Sequence, residues 1–177
     1  KYCRSNRFND INTMNRELVE NWNNTVSNHD TVYFLGDLLW EGFKPYFFGC
    51  FILTDTLLNG RIFWIKGNHE WRWGKSLPRF KPLKYRNMNF LLIHDLADIR
   101  EIKKDYDFSK FHYDWVIYGH HHNNNIERYP FINGDKKIIN VCCELLDYRP
   151  LDFDYLISLD LNSIKRMDTI SSPIIRK

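Results

Sequence analysis

No apolar run in these 177 residues is long enough to cross a membrane. The longest, from Tyr46 to Leu53 around Gly49 and Cys50, falls well short of the ~20 residues a spanning helix requires. No membrane partner is therefore expected. The four cysteines, Cys3, Cys50, Cys142 and Cys143, show no CxxC spacing, so neither a disulfide framework nor a zinc knuckle is indicated. A reducing, cytoplasmic setting is the corresponding expectation. Charge bias is also slight: a net charge of +3 and a pI near 8.6 do not by themselves imply a polyanionic partner. Lys1 to Arg7 holds no apolar signal region, and without one the triplet Asn23-Asn24-Thr25 reads as incidental rather than as a glycosylation site. Linkers, repeats and low-complexity tracts are missing as well, so residues 1–177 read as a single domain. With 44% hydrophobic and 16% aromatic residues, that domain can bury a real core.

What is present is an alternation of helical and extended patterns. Met14, Leu18, Trp22 and Val26 recur every fourth residue behind the capping candidates Asn12 and Thr13, which predicts an amphipathic helix. Asn28-His29-Asp30 reads as a turn, and Val32 to Leu35 as a buried strand. Pro45 to Leu58 predicts a helix closed by Asn59-Gly60. Further strands are expected over Arg61–Ile65, Asn89–Ile93 and Trp115–Tyr118, with Lys137–Cys142 and Tyr155–Leu159 as a late hairpin or edge strands.

Four of these apolar runs end in short polar strings: Gly36-Asp37, Gly67-Asn68-His69-Glu70, Ile93-His94 and Gly119-His120-His121-His122. Their spacing is that of βαβ units, and α/β architectures gather their chemistry at the carboxyl ends of strands. One Asp, one Asn and several His converging there suit a divalent metal cluster. In an extended chain His120 and His122 share a face and His121 points away, so two of the three imidazoles are free to serve one site.

Gly-Asp, Gly-Asn-His-Glu, His and Gly-His-x-His, in that order across residues 36–122, resemble the calcineurin-like metallophosphoesterase superfamily. The flanks resemble its small prokaryotic and phage branch, with a helix before Asp30-Thr31-Val32-Tyr33-Phe34-Leu35-Gly36-Asp37 and Asn140-Val141 before Tyr148-Arg149-Pro150. The resemblance implies an α/β fold of four layers, an αββα sandwich of two mixed β-sheets flanked by helices. It also implies two divalent metal ions, Mn²⁺ first, with Fe, Zn, Ni or Mg as alternatives. Asp37 matches the carboxylate that bridges the metals. Asn68, His94 and His120 match the other ligands of the second metal, and His122 matches a ligand of the first. His69 matches the catalytic histidine, and the implied activity is phosphohydrolysis of a phosphodiester or small phosphomonoester by in-line attack of hydroxide at a dinuclear site.

Two departures qualify the match. The superfamily's Asp-x-His motif, which ends its first strand and supplies two ligands to the first metal, occurs nowhere in this sequence. The chain is accordingly read as an amino-terminally truncated domain whose first strand is missing and whose first-metal site is incomplete. Trp40 stands where protein-phosphatase relatives carry Asp, which argues against a Ser/Thr protein phosphatase. Glu70 is expected to order its loop rather than to bind metal. Between the second and third strings lies a basic stretch, Arg72, Lys75, Arg79, Lys81, Lys84 and Arg86, interleaved with Trp71, Trp73 and Phe80. Arg72 and Arg149 are the candidate phosphate contacts. The expected partner is a phosphorylated small molecule or nucleotide, with a nucleic-acid strand, and hence a nuclease, as the alternative if the basic stretch lines the site. A non-catalytic scaffold retaining the fold is the other alternative.

Overall fold

Asp10 starts the first helix. Its carboxylate accepts hydrogen bonds from the backbone N–H groups of Asn12 and Thr13 at 2.8 and 2.9 Å, and helix α1 runs Ile11–Thr25. The cap thus precedes the expected candidates Asn12 and Thr13, which are the residues capped. The computed structural model describes residue 4 and residues 7–38, 56–70, 76–107 and 111–170. Most of the helix expected over Pro45–Leu58 lies outside the described residues, as do Trp40, Trp71, Arg72, Trp73 and Lys75.

Two sheets carry the fold. Strands β1 (Thr31–Phe34) and β2 (Arg61–Trp64) pair in parallel. The larger sheet contains β3 (Phe80–Tyr85), β4 (Met88–Ile93), β5 (Trp115–Tyr118), β6 (Ile132–Asn133), β7 (Ile138–Asn140) and β8 (Arg166–Met167), in the order β3-β4-β5-β7-β6-β8. Within it β4, β5 and β7 run parallel, and the remaining pairings are antiparallel. Among the described residues two further helices follow, α2 (Asp98–Asp105) and α3 (Phe153–Ser158).

Side-chain alternation stacks these parts in four layers. From β1, Tyr33 and the following Leu35 turn inward with Ile65 onto Phe90, Leu92, Trp115 and Ile117 of the larger sheet. On the opposite face of that sheet Leu91, Ile93, Val116 and Tyr118 pack against Ile99 and Ile102 of α2. The outer face of the small sheet is covered by α1: Trp22 lies 6.4 Å from Phe34 between ring centroids, and its indole N–H donates to the Asn59 carbonyl at 2.9 Å. Every residue of β5 is buried, as expected for a central strand covered on both faces.

Three expectations change at the level of elements. Ile138–Asn140 is neither an edge nor a free hairpin arm; it is inserted between β5 and β6, parallel to one and antiparallel to the other. Tyr155–Leu159 is helical, because Asp152 caps the backbone N–H groups of Asp154 and Tyr155, and a short apolar run does not distinguish strand from helix. Part of the basic stretch is itself a strand. Phe80–Tyr85 forms an edge hairpin with β4 through a two-residue turn in which Arg86 takes φ 50°, and Pro82 is tolerated because this strand is at the edge.

Candidate metal centre

The parallel strands of both sheets end on one rim. The two sheets are tied there by His94, whose Nδ1–H donates to the Leu35 carbonyl at 2.6 Å. Gly36 follows with φ +93°, and a Cβ at that position would run into the Gly67 backbone, so the loops after β1 and β2 touch main chain to main chain. Asp37 then takes φ 59° and His120 φ 65°, sparsely populated conformations that cost free energy and collect at functional sites. The loops are held by Glu70, 3% exposed, whose carboxylate accepts from the backbone N–H groups of Asp37, Leu38 and Gly67 at 2.9, 2.8 and 2.8 Å. That is the geometry of a loop-ordering carboxylate.

Four electron-pair donors crowd one point on this rim. Because Nδ1 of His94 is committed to Leu35, its Nε2 carries the lone pair when the ring is neutral. Around that nitrogen lie Asn68 Oδ1 at 2.8 Å, His120 Nδ1 at 3.0 Å and Asp37 Oδ2 at 3.2 Å. A neutral His94 would present a lone pair to a carboxylate and an amide oxygen, so the arrangement calls for a cation at its centre, a proton or a metal. The ionisation equilibria express that demand. Burial alone would raise the Asp37 carboxyl, but His94 and the His69 backbone N–H at 3.0 Å outweigh it and hold it below its ordinary value. Burial would lower His94, and the hydrogen bond and charge of Asp37 instead raise it. His69 stands beside this group, Nε2 3.8 Å from Asp37 Oδ2, with 22% of its side chain exposed.

The other histidines separate. His120 has its Nε2 3.5 Å from Asp95 Oδ2 and its Nδ1 3.0 Å from His94 Nε2, in the cluster. His121 stacks on Tyr129, ring centroids 3.6 Å apart, and its carbonyl accepts from the Asn140 amide at 2.8 Å. His122 joins a different group, Nδ1 3.0 Å from Glu144 Oε1 and 3.4 Å from Cys142 Sγ. The shared strand face expected for His120 and His122 is therefore not what positions them. The strand ends at Tyr118, and the left-handed turn at His120 sends the two rings to different neighbours.

Of the site residues expected from sequence, Asp37, Asn68, His94 and His120 are brought within hydrogen-bonding distance of one point, with His69 at its edge. Three of them, Asp37, His94 and His120, also form a group whose ligand atoms all lie within 4.8 Å. His122 stands with Cys142 and Glu144 in a second such group. Arg149 lies 3.9 Å from Asp147 Oδ2, its buried Nε without a hydrogen bond among the described residues. Along the described part of the basic stretch, Arg79 pairs with Asp98 at 3.5 Å, Arg86 pairs with Asp154 at 2.8 Å, and Lys81 lies over the rings of Tyr33 and Phe63. Sequence reasoning missed Asp95 and Glu144. The available signals were weak: Asp95 directly follows His94, and Glu144 lies between Asn140-Val141 and Tyr148-Arg149-Pro150.

Comparison with known proteins places these residues in context. The model of the calcineurin-like phosphoesterase superfamily domain matches residues 13–141. An uncharacterised protein of Methanocaldococcus jannaschii is 37% identical over 159 residues, covering 90% of this chain and 81% of the relative. Among solved structures, a protein of unknown function from Aquifex aeolicus shares the fold with a TM-score of 0.63 at 22% identity, covering 85% of this chain and 87% of that one. A Vps29 single mutant from Entamoeba histolytica aligns with a TM-score of 0.44 at 20% identity, over 71% of this chain and 62% of that one.

Proposed function

The chain belongs to the calcineurin-like phosphoesterase superfamily, and from that premise we propose that it is a metal-dependent phosphohydrolase acting on a phosphodiester or small phosphomonoester. The observation that carries the proposal is the convergence of Asp37 Oδ2, Asn68 Oδ1 and His120 Nδ1 on His94 Nε2. Those are oxygen and imidazole donors without a thiolate, a set that admits Mn²⁺. When bound, divalent ions supply Lewis acidity that polarises phosphoryl oxygens and makes water acidic near neutral pH.

The chain's own residues do the rest. Asp37, Asn68, His94 and His120 would hold one ion, and His122 would serve another. Leu35 fixes the ring of His94, so that it presents Nε2, and Asp95 stands 3.5 Å from His120 Nε2. His69, at the open edge of the cluster, gives a proton to the leaving oxygen and stabilises charge in the transition state. Arg149 and Arg72 are the proposed contacts to the substrate phosphate, and a phosphorylated small molecule or nucleotide is the proposed substrate class.

The test is Mn²⁺-dependent hydrolysis of a generic aryl phosphodiester by the chain, by His69→Ala and by Asp37→Asn. The rate is expected to fall by about 10²–10⁴ in His69→Ala, while that variant keeps its affinity for Mn²⁺. Asp37→Asn is expected to lose both. Hydrolysis indifferent to the two substitutions would overturn the proposal.

A further inference from the structure

Glu144 lies in the short 3₁₀ turn Cys143–Leu145 that follows β7, and its side chain is fully shielded from solvent. Both of its oxygens are used. Oε1 receives Arg4 Nε at 2.8 Å and His122 Nδ1 at 3.0 Å, and Oε2 receives the Cys142 thiol at 2.7 Å. The Cys143 thiol also reaches Oε2, at 3.4 Å, and an ionised carboxylate is an acceptor only, so the His122 nitrogen facing it must carry the ring proton. We propose that Glu144 is the positioning residue for His122, fixing the Nδ1–H tautomer so that Nε2 is left as the ring's lone pair for a cation.

The geometry favours this role over a separate thiophilic site made of the same atoms. His122, Cys142 and Glu144 do bring three ligand atoms within 4.8 Å of one another. Arg4 already supplies positive charge to that group, however, through Nε on Glu144, while its Nη2 meets the neighbouring Cys143 Sγ at 3.0 Å. The end of His122 that meets Glu144 is anchored in shielded structure, while 39% of its side chain remains exposed. A neutral imidazole in water carries its proton mainly on Nε2, the wrong nitrogen for a ring that must offer Nε2 to a metal. Glu144 reverses that preference before any ion arrives, as the Leu35 carbonyl does for His94.

The tautomer claim stands on its own; its consequence for metal affinity rests on the metal-dependent reading above. The test is a long-range ¹H–¹⁵N correlation spectrum of the metal-free protein, at a pH where histidine is neutral, for wild type, Glu144→Ala and Glu144→Gln. Wild type is expected to show His122 as the Nδ1–H tautomer. Glu144→Ala should shift it to Nε2–H and weaken Mn²⁺ binding about 10–100-fold. Glu144→Gln, which keeps an acceptor oxygen, should rescue much of the tautomer. His122 protonated on Nε2 in wild type would overturn the proposal, as would a folded Glu144→Ala that keeps the Nδ1–H tautomer and wild-type affinity. Should Glu144→Ala not fold, the wild-type spectrum decides alone. A protein that hydrolyses nothing yet shows the expected tautomers would refute the phosphohydrolase reading and leave this one standing.

Discussion

His94 is the residue on which the site turns. Its ring meets a carbonyl on one side and three electron-pair donors on the other, so without a metal it is stable only when it holds a proton. The pH dependence follows from the directions of two shifts. Asp37 ionises more readily in the folded chain than in the unfolded one, so its contribution is present above the unfolded value of about 3.9 and is lost as pH falls through the folded value. His94 is raised, so its contribution is complete below about 6.5 and is lost as pH rises through the folded value. The metal-free protein should therefore be most stable between these limits, and its Tm should decline above neutrality. Thermal melts across pH check this, and a flat Tm from pH 6 to 9 would count against the proposed protonation of His94. Saturating Mn²⁺ should restore the alkaline Tm, since an ion takes the place of the proton. The four clustered residues were legible in the sequence because each lies within a few residues of the end of an apolar run, and the roles expected of them came from the resemblance. Asp95 and Glu144 were not, since which carboxylate reaches the far nitrogen of a histidine depends on how a turn folds back, as Cys143–Leu145 does.

Elements matter here through the contacts between their ends. The loops after β1 and β2 meet at Gly36 and Gly67, and a methyl group on Gly67 would strike the carboxylates of Asp37 and Glu70. Gly67→Ala should therefore abolish Mn²⁺ binding in a protein whose circular dichroism is close to wild type, because the clash lies in a loop outside both sheets. Glu70→Ala removes the acceptor of three backbone N–H groups and should cost about 1–3 kcal/mol in urea denaturation, with looser metal binding. Unchanged stability would mean that water replaces the carboxylate without penalty. Elements were legible where periodicity was long or a run was bounded by turn residues, as in α1, β4 and β5. They were misread where a cap or a pairing partner decided the outcome. Asp152 turns Tyr155–Leu159 into a helix, and β4 recruits Phe80–Tyr85, whose lysines and proline hide a strand from propensity.

Over the whole molecule, two sheets facing each other hold one rim of loops. The interface is aromatic and aliphatic, built on Phe90, Trp115 and Phe131 with Ile65 crossing from the small sheet. Phe90 is fully buried and meets Phe153 edge-on at 5.5 Å, so Phe90→Ala should cost about 3–5 kcal/mol by chemical denaturation. Its effect on Mn²⁺ affinity should be smaller than that of any ligand substitution, because the rim loops are tied to one another by Leu35, Gly67 and Glu70 as well as by the core. The four-layer order was foreshadowed by the resemblance alone; the spacing of the polar strings foreshadowed only the alternation of strands and helices. The insertion of β7 between β5 and β6 was not, since register between distant strands leaves no trace in either segment alone.

Asp37, Asn68, His94 and His120 are proposed to form a cation site. The most direct test of that proposal is calorimetric titration of the metal-free protein with Mn²⁺ in two buffers of different ionisation enthalpy, beside Asn68→Ala and His94→Ala. Binding with proton release in wild type, lost or weakened by at least tenfold in both variants, is the predicted result. Equal affinity in all three proteins, or wild-type binding that releases no proton below neutral pH, would contradict it.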